Sequence, residues 1–563
     1  MDKAAKPSRV AFAVLIISAV LLFNYTLIVN GNWMIHPDDH EAYIIGRNLK
    51  NTGSLTYDEP LNAVFEEPVF TPAGASYFNN KVVPTRAYGI YFLTAFGFLF
   101  GHSMPFILIA LLGLIGMVFL YKIVALVMDK RKAFLAMFLF AFSVPVIYWS
   151  NMLYASIPGL TFFIIGLYLL LKVAYGANAR FLLYIGWSVS FALSIWMRYE
   201  YALFILLLAP LVIRFRHAFK LRYFLVGVLI LVLLLVPVLL LNQAIYDNPF
   251  HTGYTKPKVP SEDGQQTTGV FDKLQRGVGD TFRRFFTQDL KPRPARIYRN
   301  IRDYVLNIMP MLIVAGILGL LLMLLLPGRN RALALSLLLI ITLWTYDTCG
   351  GFHWGENQNL VGSTYIRYLL VLYMTMAIFA PVIVDRIRSV FGPNIYRVFL
   401  ALFLISFLVL QSYFLMAGTF GLEATSEQKE HFEAVNEAAS ELPEESIIVA
   451  SVYSKAIVDR RVLKTTRIKN GEVITTTVDY IRELLHMGFP VFLMETPWHS
   501  SYLNLAKYIP KHTDDLAVEE IRTGFGDGSS DKIYEVRLIA PEDLTEDPNN
   551  NMANSEENGS DEQ

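Results

Sequence analysis

Pro37-Asp38-Asp39-His40-Glu41-Ala42-Tyr43, followed shortly by Arg47-Asn48-Leu49, stands just after an apolar run from Val10 to Val29. Ionisable side chains clustered at the mouth of a hydrophobic helix are costly to place beside lipid. They point to chemistry at a membrane surface. A local alternative exists: Asp38 or Asp39 caps a helix starting near Glu41, whose own charge suits the first turn. One cap needs one carboxylate, so two aspartates and a glutamate leave at least one for another task.

The remainder of the chain supplies the membrane. Of 563 residues, 54% are hydrophobic and only 17% charged, against about a quarter charged in soluble domains. A bilayer takes about 20 apolar residues per helix. Such windows recur near 10–30, 104–127, 133–149, 156–174, 181–197, 200–213, 221–243, 304–326, 331–347, 364–384 and 395–417. The expected fold is a polytopic α-helical membrane protein with about eleven transmembrane helices. Lys3, Lys6 and Arg9 precede the first run, which is long and lacks a small-residue cleavage site, so it reads as a retained helix.

Orientation follows from the loops. Basic clusters at Lys130-Arg131-Lys132, Arg180, Arg214 to Arg222, Arg329 to Arg331 and Arg386 to Arg388 share the N-terminal side if Tyr88–Phe100 does not cross. The positive-inside rule then makes that side cytoplasmic, in a plasma membrane, and leaves Tyr88–Phe100 interfacial or re-entrant. Loops 31–87, 244–303 and 348–363 face outward, as does the C-terminal region. The second loop carries basic residues from Lys256 to Arg302, either simply solvated or suited to anionic headgroups of membrane lipids.

Three divisions are expected: a membrane domain over 1–420, a small extracytoplasmic α/β domain over 421–540, and a disordered acidic tail over 541–563. In the α/β domain, 426–440 and 478–487 read as helices, and 446–452, 490–494 and 532–539 as strands. Zero formal net charge sets nucleic acid aside as a partner. A single cysteine, Cys349, excludes an internal disulfide and a cysteine metal cage. His40 beside three acids leaves metal dependence open: these side chains suit a divalent cation or none, and no cofactor is certain.

Asp39 or Asp38 is a candidate general base for an incoming hydroxyl or amine, with Glu41 and His40 in support. Lys81 and Arg86 precede the apolar segment, where a cation reaches a headgroup phosphate while its stem snorkels; plain interfacial anchoring explains one such cation equally well. Arg367 falls just inside an outward helix end and calls for an anion, and its planar fork suits phosphate oxygens. His353, Glu356 and Tyr365 precede it on the same side. Arg198 and Glu200, flanking Tyr199, are expected to pair with each other.

These stretches resemble the GT-C superfamily of membrane glycosyltransferases, and within it the protein O-mannosyltransferases and the bacterial aminoarabinose-lipid A transferases. The resemblance is carried by Pro37 to Tyr43, by Gly46-Arg47-Asn48-Leu49 with Thr52 to Tyr57, by Asn248 to Tyr254 and by Arg367-Tyr368-Leu369-Leu370, and in architecture spans 10–417. Members have an Asp-Glu pair in the first outward loop; counting back four from Tyr43 selects Asp39 here. The Trp-Trp-Asp motif of the oligosaccharyltransferase branch is absent. The resemblance implies inverting transfer of a sugar from a polyprenyl-phosphate donor to a protein, lipid or glycan acceptor on the outer face. Arg86, Arg367 or Lys81 would stabilise the leaving phosphate, and Asp39 would take the acceptor's proton. A transporter or flippase of lipid-linked sugars would place its charges near mid-membrane. An envelope polymerase or ligase would carry its large outward loop late in the chain.

Overall fold

The computed structural model describes residues 13–22, 37–65, 69–72, 74–176, 181–251, 253, 294–351, 366–417, 422–450, 457, 460–464, 472–495, 505–523 and 531–539. The chain divides into two compact units. The first comprises residues 1–58 and 74–429, the second 59–73 and 430–563. The contiguous boundary expected after residue 420 is thus not the division the fold makes.

The first unit is mostly helical. Helices α1 (Ala13–Leu22) and α2 (Pro37–Thr52) open it. A three-stranded sheet follows, with β1 (Tyr57–Asp58), β2 (Ser76–Phe78) and β3 (Lys81–Val83) ordered β1-β3-β2 and antiparallel throughout. Asn79 (φ 48°) and Asn80 (φ 61°) form the two-residue turn between β2 and β3, where asparagine tolerates left-handed backbone. Helix α3 (Gly89–Phe98) has ten residues. At 1.5 Å per residue it is about 15 Å long, too short to cross a hydrocarbon core of about 30 Å.

Long and short helices come next: α4 (Met104–Val127), α5 (Lys130–Ala141), α6 (Val144–Trp149), α7 (Ser156–Ala174), α8 (Phe181–Met197), α9 (Tyr201–Leu206), α10 (Ala209–Arg214) and α11 (Leu221–Tyr246). Beyond residue 293 lie α12 (Pro294–Ile301), α13 (Pro310–Leu325), α14 (Arg331–Gly351) and α15 (Leu370–Ala417). By length and composition, five described helices can cross a membrane, or six if the pair Pro294–Leu306 and Pro310–Leu325, bent by 106°, is one span. The eleven windows read from hydropathy do not each become one long helix. Those at 133–149 and 200–213 are broken into the pairs α5/α6 and α9/α10, each second member having a proline in its first turn, where the missing N–H costs nothing. α15 holds two of the expected windows, separated at Gly392 (φ 81°).

Broken helices leave orphan backbone groups, which must be satisfied where water is absent. Buried Gln411 does this with both ends of its amide, accepting from the Val144 N–H (2.9 Å) and donating to the Ile308 carbonyl (3.3 Å). Close helix contact uses small residues: a Cβ on Gly319 would stand 2.0 Å from the Phe379 carbonyl oxygen, so α13 approaches α15 as only glycine permits.

The second unit is an α/β fold, with helices α16 (Leu422–Ser440, the unit taking it from Glu430), α17 (Glu472–His486) and α18 (Leu505–His512). Its strands are β4 (Ile447–Ala450), β5 (Arg461–Lys464), β6 (Val491–Glu495), β7 (Leu516–Thr523) and β8 (Lys532–Leu538), in the order β5-β4-β6-β8-β7. β4 pairs in parallel with β5 and β6, and β8 is antiparallel to β6 and β7. β4 is buried along its whole length and β6 over Val491–Met494, as strands covered on both faces should be. The expected helices and strands of this region are present; β5, β7 and α18 add to them.

Segment 59–73 belongs to this unit because of what it buries. Leu61, Phe65 and Phe70 lie in one apolar core with Ile447, Val449, Ile481 and Leu493, and Phe65 meets Tyr480 edge-on at 4.8 Å. Buried Asn62 secures the turn, donating to the Phe70 carbonyl (3.1 Å) and accepting from the Phe70 N–H (2.7 Å). Asn62→Ala should therefore strand two buried backbone groups and cost this unit about 2–3 kcal/mol. Thermal unfolding combined with limited proteolysis over 430–540 measures it; an unchanged unit would remove segment 59–73 from the core.

Candidate active site

Helix α2 starts at Pro37, whose fixed φ suits a first helical position, so Asp38 and Asp39 fall in its first turn beside the positive end of the helix dipole. The expected start near Glu41 is one turn late. That shift matters, because residues three apart share a helix face. Asp38 and Glu41 therefore point to the same partner, Arg86. Arg86 Nη2 donates to Asp38 Oδ1, and Arg86 Nε lies 3.4 Å from Glu41 Oε2.

Glu41 is wholly buried and heavily bonded. It accepts from the Thr85 N–H, the Tyr91 hydroxyl and the Thr85 hydroxyl, the last at 2.7 Å. Tyr91 Oη in turn accepts from the Arg86 N–H at 3.0 Å. Burial pushes the Glu41 carboxyl up, while Arg86 and these hydrogen bonds pull it down. A side chain so enclosed holds Thr85 and Arg86 in place. Gly74 closes the back of this corner: its φ is 95°, and a Cβ there would stand 2.5 Å from the Pro37 carbonyl oxygen.

Arg367 arrives from the single turn Ile366–Leu369 ahead of α15. Its Nη1 donates to Asp38 Oδ2 at 2.6 Å, so Asp38 bridges two arginines. The side chain is only 8% exposed, and its guanidinium lies over the rings of Tyr154 (4.3 Å), Tyr368 (5.0 Å) and Trp149 (6.0 Å). Such aromatic contact contributes roughly 2 kcal/mol where water is excluded. Burial and the Asp38 charge push the Tyr154 hydroxyl well above its ordinary range, which keeps it protonated. Arg198 faces Tyr368 at 4.6 Å, donates to Ser156 Oγ at 2.7 Å and pairs with Glu200, as the sequence suggested.

The sequence candidates thus sort by place. Asp38, Glu41, Arg86 and Arg367 converge. Asp39 is buried in the same turn, 1% exposed, and its charge bears on Tyr154. Lys81 is not part of the cluster: it is an exposed residue of β3, 3.9 Å from Asp58 on the neighbouring strand. His353, Glu356 and Tyr365 lie outside the described residues. Among the described residues no three His, Cys, Asp or Glu side chains converge as metal ligands; the Asp38 and Glu41 oxygens face arginines instead. Sequence reasoning missed Thr85, Tyr91, Trp149, Tyr154 and Gly74.

The fold therefore presents two arginines on one carboxylate, set within a scaffold of apolar helices. The chain resembles the GT-C superfamily of membrane glycosyltransferases. A family model described as dolichyl-phosphate-mannose-protein mannosyltransferase matches residues 87–241. The ArnT protein of Cupriavidus metallidurans, solved bound to undecaprenyl phosphate, superposes with a TM-score of 0.58 at 12% identity, over 94% of this chain and 98% of that one. The oligosaccharyltransferase of Archaeoglobus fulgidus superposes at 0.52 and 12% identity in the apo form. Its complex with an inhibitory peptide and a dolichol-phosphate gives 0.51 at 13%. Each covers 86% of this chain and 69% of the other. At such identities the likeness is one of fold. No curated protein sequence matches the chain.

Glu41 yields a pH test. Its raised native pKa means that the folded state favours the protonated form more than the unfolded state does, so this contribution is largest in acid and is lost as pH rises through the native value. Thermal unfolding from about pH 4 to 8 should show the wild type losing stability relative to Glu41→Gln as pH rises; a wild type that instead gains stability with rising pH would mean that Arg86 outweighs burial, and parallel curves that the two balance.

Proposed function

We propose that this protein is an integral membrane glycosyltransferase that moves a sugar from a polyprenyl-phosphate donor to an acceptor on the outer face, inverting the anomeric centre. The observation that carries the reading is the pair Arg86 and Arg367 converging on one anion, Asp38. Two planar forks on neighbouring sides of one anion suit phosphate oxygens. In the reaction, an acceptor oxygen or nitrogen bonds to the anomeric carbon as the carbon–oxygen bond to phosphate breaks. The polyprenyl phosphate leaves as an anion and needs cations, not a general acid; fixed guanidinium groups stabilise the charge as it develops.

The acceptor's proton goes to a carboxylate of the first turn of α2. Asp38 fits this role better than Asp39, the choice suggested by counting from Tyr43, because its oxygens lie directly against both arginines. Lys81 has no part in this scheme. The outward orientation, eleven crossings, a plasma-membrane location and an extracytoplasmic second unit that presents the acceptor complete the reading. Protein, lipid and glycan acceptors all remain within it.

The deciding experiment incubates purified protein with radiolabelled polyprenyl-phosphate sugars, with and without membrane extract as acceptor. Transfer or slow donor hydrolysis should fall by about 10²–10⁴ in Asp38→Asn and by about 10²–10³ in Arg367→Ala. Full activity in Asp38→Asn with loss in Asp39→Asn would move the base to Asp39. Folded protein showing neither turnover nor saturable donor binding would overturn the reading in favour of transport. Orientation has its own check: a cysteine replacing Lys256 should react with an impermeant thiol reagent on intact cells. The native Cys349 is buried and gives little background; labelling only after lysis would reverse the topology.

A further inference from the structure

Asp38 spends both carboxylate oxygens on the arginines, Oδ1 on Arg86 and Oδ2 on Arg367. A phosphate drawn to these guanidinium groups must compete with it, because the two anions need the same N–H faces. Among the described residues, Arg367 has more donors than acceptors to meet them. Nη1 bonds to Asp38 and Nη2 reaches Tyr368 Oη at 3.3 Å, while the buried Nε has no acceptor among the described residues. A tetrahedral anion offers more acceptor oxygens than a carboxylate and can serve that remaining donor. Glu41, enclosed by Thr85 and Tyr91, is fixed by contrast and stays on Arg86 when Asp38 leaves.

We propose that Asp38 is a stand-in anion that holds Arg86 and Arg367 in place in the empty site and is exchanged for the donor's phosphate, which releases the carboxylate to receive the acceptor's proton. The inference rests on the donor reading above and adds an order of events. Two adjacent cations lower a carboxylate's affinity for a proton, so Asp38 is a weak base while it bridges them. Once phosphate holds the arginines, Asp38 loses both counter-charges and gains a negative neighbour, and each change raises that affinity. The exchange is anion for anion, so no buried arginine is left without a partner at any stage. Donor binding thereby arms the base.

The test is binding, not turnover. Undecaprenyl phosphate is titrated into full-length protein in detergent, followed by calorimetry or by the fluorescence of Trp149, whose ring lies 6.0 Å from the Arg367 guanidinium. Asp38→Asn withdraws the competing charge and should bind at least about tenfold more tightly than the wild type, although inactive in transfer. Asp39→Asn removes a charge from the same turn but not the bridge, and should tighten binding much less than Asp38→Asn does. Asp38→Ser withdraws the same charge with a smaller side chain and should tighten binding too, so one misfolded variant does not decide the matter. Equal or weaker binding in the folded Asp38 variants, or the same tightening in Asp39→Asn, overturns the exchange. Absence of saturable binding by folded wild type removes the donor reading itself, which is a different result.

Discussion

A carboxylate shared by two guanidinium groups fixes three distant pieces of chain in one place. Asp38 belongs to α2, Arg86 to the loop after β3, and Arg367 to the turn before α15. A buried arginine without a counter-ion costs several kcal/mol, so the turn carrying Arg367 settles where an anion can meet it, and in this structure that anion is Asp38. Behind this bridge, Glu41 ties down Arg86 through Thr85 and Tyr91. Tyr154, Tyr368 and Trp149 surround the Arg367 guanidinium. The charges are local, but the geometry is global.

How much of this the sequence carried depended on range. Hydropathy located the apolar helices, because burial in lipid is read from composition alone. It did not show where a span is broken: Pro145 and Pro210 open new helices inside single apolar windows. Arg86, Arg367 and the acids were visible as charges in an apolar setting. The pairing of Asp38 with Glu41 followed from an i, i+3 spacing, legible once α2 is started at Pro37; a start near Glu41 hid it. Lys81 and Arg86 looked alike beside the same apolar segment. Only strand register separates them, sending Lys81 towards exposed Asp58. Trp149 and Tyr154 carried no local signal, because aromatic residues in an apolar stretch are ordinary core.

Segment 59–73 shows the same limit in another form. Leu61 and Phe65 have a helical spacing, but Glu66-Glu67-Pro68 follows at once, and the whole segment reads as part of the first outward loop. Their partners Ile447, Ile481 and Leu493 are hundreds of positions away. A chain division drawn along the sequence therefore had to miss an insertion that exists only in the contact pattern.

That insertion sets a timetable for synthesis. A ribosome adds roughly 5–20 residues per second, so Leu61, Phe65 and Phe70 emerge roughly tens of seconds before the strands they will pack against. Through that interval the apolar stretch between Asp58 and Gly74 has no native core to enter. It must be shielded by lipid, by a chaperone or by transient contacts of its own. The second unit cannot finish folding as an independent C-terminal passenger, because part of its interior was translated near the beginning. Completion of the last strands is thus the event that retires the earliest exposed surface.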